Sequence, residues 1–442
     1  MSDLSKNTAL IIGWEYPPRM VGGLAIATHG IVKALSKYIK VILIIPFKDE
    51  NTPKDPNITV YGLNTIEKDF PIEDFQILKS KLVRFKTQQF KSQQSYSVYP
   101  LIDSTSSTSS TTSKELTQVN HIHKRIDHLT FFASEEVYGF GLWDRMRAFK
   151  EVVGVMSQFL SFDIIHCHDW ITFETGAHIK WLSKKPLALH VHALETDRVG
   201  TNARNENEIY NIEQNAMQLA DVIFPVSEYT KKCIIDHYAI NESKIVSVHN
   251  AIENISIKRW RHKTPQKIVA FVGRITSQKG PGFLLETIRK VVEGYKNVRF
   301  VIAGSGDLLE ELMMSSAFNQ LSRYIVFEGF IKQEKVHQLL ATSDVYFMPS
   351  VSEPFGLTAL EAAKAGVSCV VTKQSGAVEV LKTALNADFW DTDKFASHII
   401  HLLQNDEERV QLVEKQNKEV KTISWNNSAK KVIENYKRIL NK

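Results

Sequence analysis

The sequence predicts an α/β fold of two doubly wound, Rossmann-like domains side by side, and three observations predict it. Short apolar runs alternate with helical patterns along most of the 442 residues, the signature of parallel βα units. A basic, polar stretch closing on a proline, Ser256 to Gln266, interrupts that alternation, which then starts afresh. A chain of this length with 43% hydrophobic residues can also bury two cores.

Taken in order, the first-half strands are Ala9 to Gly13, Val41 to Phe47, "ITVYGL", Asp163 to His168, Pro186 to His192, "DVIFPVS" and "IVSVHN". After the 256–266 linker come "KIVAFVG", "VRFVIAGSG", "YIVFEGF", "DVYFMPS" and "SCVVTK", separated by helical stretches such as Pro281 to Glu293 and Leu308 to Leu321. The expected division is 1–255, linker 256–266, 267–424, and a last helix in 425–442. One region breaks the pattern, an insertion at about 64–160 that holds "STSSTSSTTS", a polar tract with nothing to bury. It is expected to have an ordered base, helical from Gly141, and a disordered tip near 104–114.

Composition narrows the function. A formal charge of +5 permits an anionic ligand without implying nucleic acid, and the linker offers no aromatic platform beyond Trp260. No run approaches the roughly 18 apolar residues of a membrane span, and the N-terminus lacks the plan of a signal peptide. A soluble, cytoplasmic protein is expected, with peripheral membrane contact left open by the basic segment Lys79 to Gln93. Cys167, Cys233 and Cys369 show no CxxC spacing, so neither a disulfide framework nor a structural zinc site is expected. Four histidines, His166, His168, His190 and His192, lie on two strand ends, but no cysteine or clear third ligand set accompanies them. The DxD-like triplet Asp391 to Asp393 precedes an amphipathic helix, where Asp393 reads as an N-cap.

Three loops suit phosphate. Gly22 and Gly23 stand between the first strand and a helix, where backbone N–H groups and the helix N-terminus can meet an anion, or simply make a tight turn. "AGSGDL", with Gly304, is a second strand-to-helix glycine loop open to the same two readings. Arg274 and Lys279 bracket a third, as fixed cations for a pyrophosphate or as solvated surface charge.

"WEYPPRMVGGLA", "HCHDW", "HVHALETDR", "VHNAIE", "GRITSQKG" and "SEPFGLTALEAAKAG" fall in the order and spacing of retaining, nucleotide-sugar-dependent glycosyltransferases of the GT-B fold. That family includes the bacterial and archaeal glycogen and starch synthases, and "EPFGLTALE" resembles its EX7E motif. The resemblance covers both domains. It implies a UDP-, ADP- or GDP-sugar in the interdomain cleft, mostly against the C-terminal domain, an acceptor on the N-terminal side, and no metal or other cofactor. Arg274 and Lys279 then match the pair on the donor pyrophosphate, and Glu353 the first glutamate, beside the transferred sugar. Glu361 matches the second, which accepts from ribose hydroxyls. Backbone N–H groups of Phe355, Gly356 and Leu357 would face phosphate or sugar oxygens. His192 matches the active-site histidine, Asp169 the acceptor-side aspartate and Asn250 the asparagine near the sugar. Gly22 and Gly23 match the loop closing over the phosphates, Gly304 is a further donor-binding candidate, and the last helix should cross back to the first domain. Where glycogen synthases commonly carry Lys before x-Gly-Gly, this chain has Met20, with Arg19 one position earlier.

The implied reaction moves a hexosyl unit, foremost glucose, onto a glycan or other carbohydrate with retained configuration. The alternatives are a glucosyl- or mannosyltransferase of lipid-linked or surface polysaccharide, an inactive nucleotide-sugar-binding protein, and a sugar-nucleotide epimerase. The aromatic-rich Val137 to Phe149 favours the glucan reading, as a sugar-stacking surface.

Overall fold

The computed structural model describes residues 4–20, 22–89, 128–132, 137–138, 141–199, 207–252 and 266–441. The 104–114 tip and nearly all of the linker lie outside the described residues. Two six-stranded, fully parallel sheets carry the chain. The first has strands β1 (Thr8–Ile12), β2 (Lys40–Ile45), β3 (Ile58–Gly62), β4 (Ile164–His168), β5 (Leu187–Val191) and β6 (Val222–Pro225), in the order β3-β2-β1-β4-β5-β6. The second has β7 (Lys267–Val272), β8 (Val298–Ala303), β9 (Ile325–Gly329), β10 (Val345–Met348), β11 (Ser368–Thr372) and β12 (Leu385–Ala387), in the order β12-β11-β10-β7-β8-β9. These are doubly wound sheets with helices on both faces, the GT-B architecture.

The apolar runs explain the layering. β4 and β5 are buried at every position, as strands covered on both faces must be. On β1 the alternation divides two cores: Leu10 and Ile12 pack toward the 142–156 helix, Ala9 and Ile11 toward the last helix, Trp425–Leu440. That last helix presents Ala429, Val432, Ile433 and Tyr436 to the first sheet and lies against the Gly23–Leu35 helix. Within the insertion, Phe75, Leu78, Leu82 and Phe132 join Phe149 in the first of these cores.

Two expectations fail locally. "IVSVHN" is not a strand; it touches β6 through one bridge, Ile223 to Ile245. Val246 and Val248 donate to the Ile223 and Pro225 carbonyls, but Pro225 has no N–H with which to continue the ladder. Asp393 is not the N-cap of the Thr392–Gln404 helix. Asp391 is, accepting from the Lys394 N–H at 3.1 Å, while Asp393 turns outward to pair with Lys290 at 2.7 Å. No helix among the described residues is long and apolar enough to cross a membrane.

Candidate functional site

In the second sheet the chain winds outward from β7 to β9 and returns beside β7 at β10, so the loops after β7 and β10 diverge at a topological switch point, where such sheets bind ligands. Gly280 lets these loops touch: its φ is +66°, and a Cβ there would lie 2.5 Å from the Pro349 carbonyl oxygen. Lys279, on the first loop, pairs through Nζ with Oε2 of Glu353, on the second. Ser350 Oγ donates to the same oxygen at 3.4 Å. The Glu353 main chain is held on both sides, its N–H donating to Gln374 and its carbonyl accepting from Gly376. Arg274 is exposed at the start of the first loop, with no side-chain partner among the described residues. The loops thus present a fixed ion pair and a free cation together.

Behind Glu353 the chain enters the Leu357–Lys364 helix through Gly356, whose φ is +87°. The Phe355 and Gly356 N–H groups donate to no acceptor among the described residues, and Leu357 opens the helix, where N–H groups have no intrahelical partner. Glu361 lies one turn in and accepts from Gln333 Nε2 at 3.0 Å. Burial pushes its carboxyl up to about 7, opposed by that hydrogen bond. Gly304 has another role than the donor contact expected of it. Its N–H is occupied by the Gly329 carbonyl at 2.7 Å, and a Cβ would sit 1.8 Å from the Gly273 carbonyl oxygen. Close packing of the loops after β7 and β8 accounts for this glycine.

The first sheet faces the site with its own switch point, between β1 and β4. Gly22 donates to Glu15 Oε2 at 3.3 Å, and Glu15 Oε1 accepts from Tyr138 at 2.5 Å. A Cβ on Gly23 would be 3.4 Å from Leu357 Cδ1, so the glycine loop lies against the start of the Leu357–Lys364 helix. Asp169 follows β4 with φ +65°, an uncommon conformation secured by its carboxylate, which accepts from the His192 and Ala193 N–H groups at 3.3 and 3.2 Å. Burial pushes this carboxyl up to about 6; Arg198, 3.7 Å away, and the two N–H groups oppose it. Asn250 is buried, and its Oδ1 has no partner among the described residues.

The four histidines form a block of near-parallel rings at the β4 and β5 ends. His192 Nε2 lies 3.0 Å from His168 Nδ1, and His166 Nδ1 lies 2.5 Å from the Tyr436 hydroxyl. Burial pushes His192 down to about 3 and lowers the other three well below the ordinary imidazole value, so all four are neutral at pH 7. Three of the four, His166, His168 and His190, bring ligand atoms within 4.8 Å of one another. The rings stack at 4–19° to each other, so their in-plane lone pairs lie in near-parallel planes.

Several residues of the site carried no sequence signal, because their contacts span more than 120 positions. Ser227 Oγ donates to the Pro354 carbonyl at 2.6 Å. Glu379 accepts from the Glu228 and Tyr229 N–H groups at 2.9 and 2.8 Å, and lies 2.6 Å from His249 Nε2. Burial raises the Glu379 carboxyl; His249 and the two N–H groups outweigh it and hold the group below its ordinary value. Asp197 accepts from Ser352 Oγ, which also meets the Tyr229 hydroxyl at 2.9 Å. The first domain therefore grips the neighbours of Glu353 on both sides. The stretch expected as a sugar-stacking surface is instead largely core: Phe149 is fully buried, Val137 is covered, and Trp143 packs on Trp170 at 5.7 Å.

Residues 253–419 match the family of glycosyl transferases group 1, and residues 101–254 match glycosyltransferase family 4. The chain is 27% identical to an uncharacterized glycosyltransferase of Methanocaldococcus jannaschii, over 97% of each chain. It is 27% identical to the D-inositol 3-phosphate glycosyltransferase of Corynebacterium urealyticum, over 63% of this chain and 72% of that one. Its fold is that of a sucrose-phosphate synthase from Thermosynechococcus elongatus, with a TM-score of 0.70 and 15% identity across 98% and 99% of the two chains.

Proposed function

We propose, from the premise that the chain is a nucleotide-sugar-dependent glycosyltransferase of the GT-B fold, that it moves a hexosyl unit, foremost glucose, to a glycan acceptor with retained configuration. The observation that carries the reading is the Lys279–Glu353 pair at the β7/β10 switch point, beside the unpartnered N–H groups of Phe355 and Gly356 and under the Gly22-Gly23 loop. Lys279 and Arg274 would take the charge that develops on the departing diphosphate, since fixed cations need no solvent rearrangement. The anomeric carbon–oxygen bond breaks with its electron pair leaving on the diphosphate. The acceptor oxygen attacks from the same face, and its proton passes to the departing phosphate oxygen. Neutral His192 and the Asn250 oxygen would orient the sugar, Glu361 would accept from ribose hydroxyls, and Asp169 would hold the acceptor side in register. The electrostatic work of a divalent ion is covered by the two cations, so activity is expected to persist in excess chelator. We place the reaction in the cytoplasm.

A second reading has a small phosphorylated polyol or sugar as acceptor. It is favoured by the names of the corynebacterial relative and the sucrose-phosphate synthase, and by the burial of the aromatic stretch that would have stacked a glucan. The test is nucleotide diphosphate release from UDP-, ADP- and GDP-glucose, with glycogen, inositol 3-phosphate or no acceptor. Release that depends on glycogen supports the first reading, release that depends on the phosphorylated acceptor the second. No turnover of any hexose donor would overturn both and favour a nucleotide-sugar-binding protein.

A further inference from the structure

At the C-terminal ends of the two helices that start at the donor loops, a cavity of about 620 Å³ opens in the crease between the domains. Four lysines line it: Lys33 and Lys37 from the first domain, Lys364 and Lys421 from the second, and no acidic side chain is among its lining residues. Lys33, Lys37 and Lys421 have no side-chain partner among the described residues. Asn426 also lines the cavity, its amide oxygen accepting from the Tyr38 hydroxyl at 2.7 Å. Apolar area from Trp425 and Ile423 lines the rest.

The ordinary reading is that these lysines complement helix ends. Lys33 and Lys364 stand in the last turns of their helices and Lys421 just past the end of a third. Three helix C-termini contribute about −1.5 charge together, against the three ammonium groups of Lys33, Lys37 and Lys421, which leaves about +1.5 before Lys364 is counted. Complementing the helix ends therefore accounts for only part of the charge. Burial pulls the Lys364 ammonium below its ordinary value.

We propose that this crease is a second ligand site, for a small molecule carrying one or more phosphate groups on a compact polar frame. Four cations around a concave space suit clustered negative charge with several acceptor oxygens. The concavity favours a free small anion over a planar lipid surface. The site also has a route to the reaction. The Gly23–Leu35 and Leu357–Lys364 helices begin at the glycine loop and at the loop of Glu353, and both end at this cavity. An anion bridging Lys33 and Lys37 to Lys364 and Lys421 relieves like-charge repulsion across the crease. It thereby favours the arrangement in which Gly23 meets Leu357, and so tightens the donor site.

The test separates this crease from the donor site, which also binds anions. Pyrophosphate is titrated calorimetrically into the full chain, into Lys279→Ala, and into Lys279→Ala combined with Lys33→Ala and Lys421→Ala. The expected result is two sites in the native chain, one in Lys279→Ala, and that one weakened at least tenfold in the triple variant with an unchanged circular dichroism spectrum. Loss of all binding in Lys279→Ala, or unchanged binding in the triple variant, would overturn the proposal. So would sedimentation with phosphatidylserine vesicles that needs Lys33 and Lys421 when pyrophosphate binding does not. Because calorimetry needs no turnover, a negative answer here leaves the transferase reading standing.

Discussion

The two switch points are built alike and equipped differently. Around β7 and β10 the candidate groups are open to a ligand: among the described residues Arg274 is exposed with no side-chain partner, the Phe355 and Gly356 N–H groups meet no acceptor, and the Lys279 and Glu353 side chains bond to each other and to Ser350. Around β1 and β4 the charged groups are committed, while the Asn250 Oδ1 and several histidine nitrogens have no partner among the described residues. Asp169 is tied to β5 and Arg198, Glu15 holds the glycine loop and Tyr138, and His192 leans on His168 as a neutral ring. On the proposed reading the second domain would bind the donor and take leaving-group charge, and the first would face it.

That contrast can be broken by variants on each side. The largest effect belongs to Lys279→Ala, where kcat should fall about 100- to 1000-fold, as for loss of one preorganised charge-stabilising group. Steady-state kinetics with an unchanged thermal midpoint would tie the loss to chemistry. On the other wall, Asp169→Asn should cost roughly 1–3 kcal/mol of stability, because it removes one of the three carboxylates paired with Arg198 and weakens two buried hydrogen bonds. Denaturant titration measures it, and a variant of native stability but no activity would move Asp169 from wall to chemistry.

Glu361 sharpens the comparison through pH. If ribose hydroxyls donate to its carboxylate, the donor prefers the ionised form. Since the carboxyl titrates near 7, the donor KM should rise up to about tenfold from pH 8 to pH 6. Glu361→Gln should flatten that profile; a KM independent of pH in the native chain would contradict the role. The smallest effect is expected of Glu379→Gln, whose single amide oxygen can keep only one of the two backbone N–H bonds and which removes the charge facing His249 and the 228–238 helix N-terminus. We expect at most about 1 kcal/mol in stability and little change in kcat.

How far the sequence carried the account depends on the range of each interaction. Both sheets but for β12 were legible because parallel strands buried on two faces must be short apolar runs, which the three-residue, partly buried β12 is not, and the loops after β7 and β10 because their charges sit within a few positions of strand ends. The Asp391 cap was misread by two positions, since two carboxylates precede the same helix and only backbone geometry chooses between them. Gly304 looked like Gly22 in sequence; its N–H goes to Gly329, a contact fixed by β8–β9 pairing. The aromatic run at 137–149 was read as surface because periodicity cannot say that an insertion folds back onto the first sheet. Ser227 and Glu379 gave no signal at all, because each acts on the opposite domain.

The most direct test of the division of labour is donor-side binding without turnover. Calorimetry with UDP, ADP and GDP, carried out on the native chain, Lys279→Ala and Asp169→Asn, separates the two walls. The account predicts that the nucleotide which binds the native chain binds Lys279→Ala at least about tenfold more weakly, and Asp169→Asn within about twofold of native. Unchanged affinity in Lys279→Ala together with lost affinity in Asp169→Asn would contradict it and place the nucleotide on the first domain.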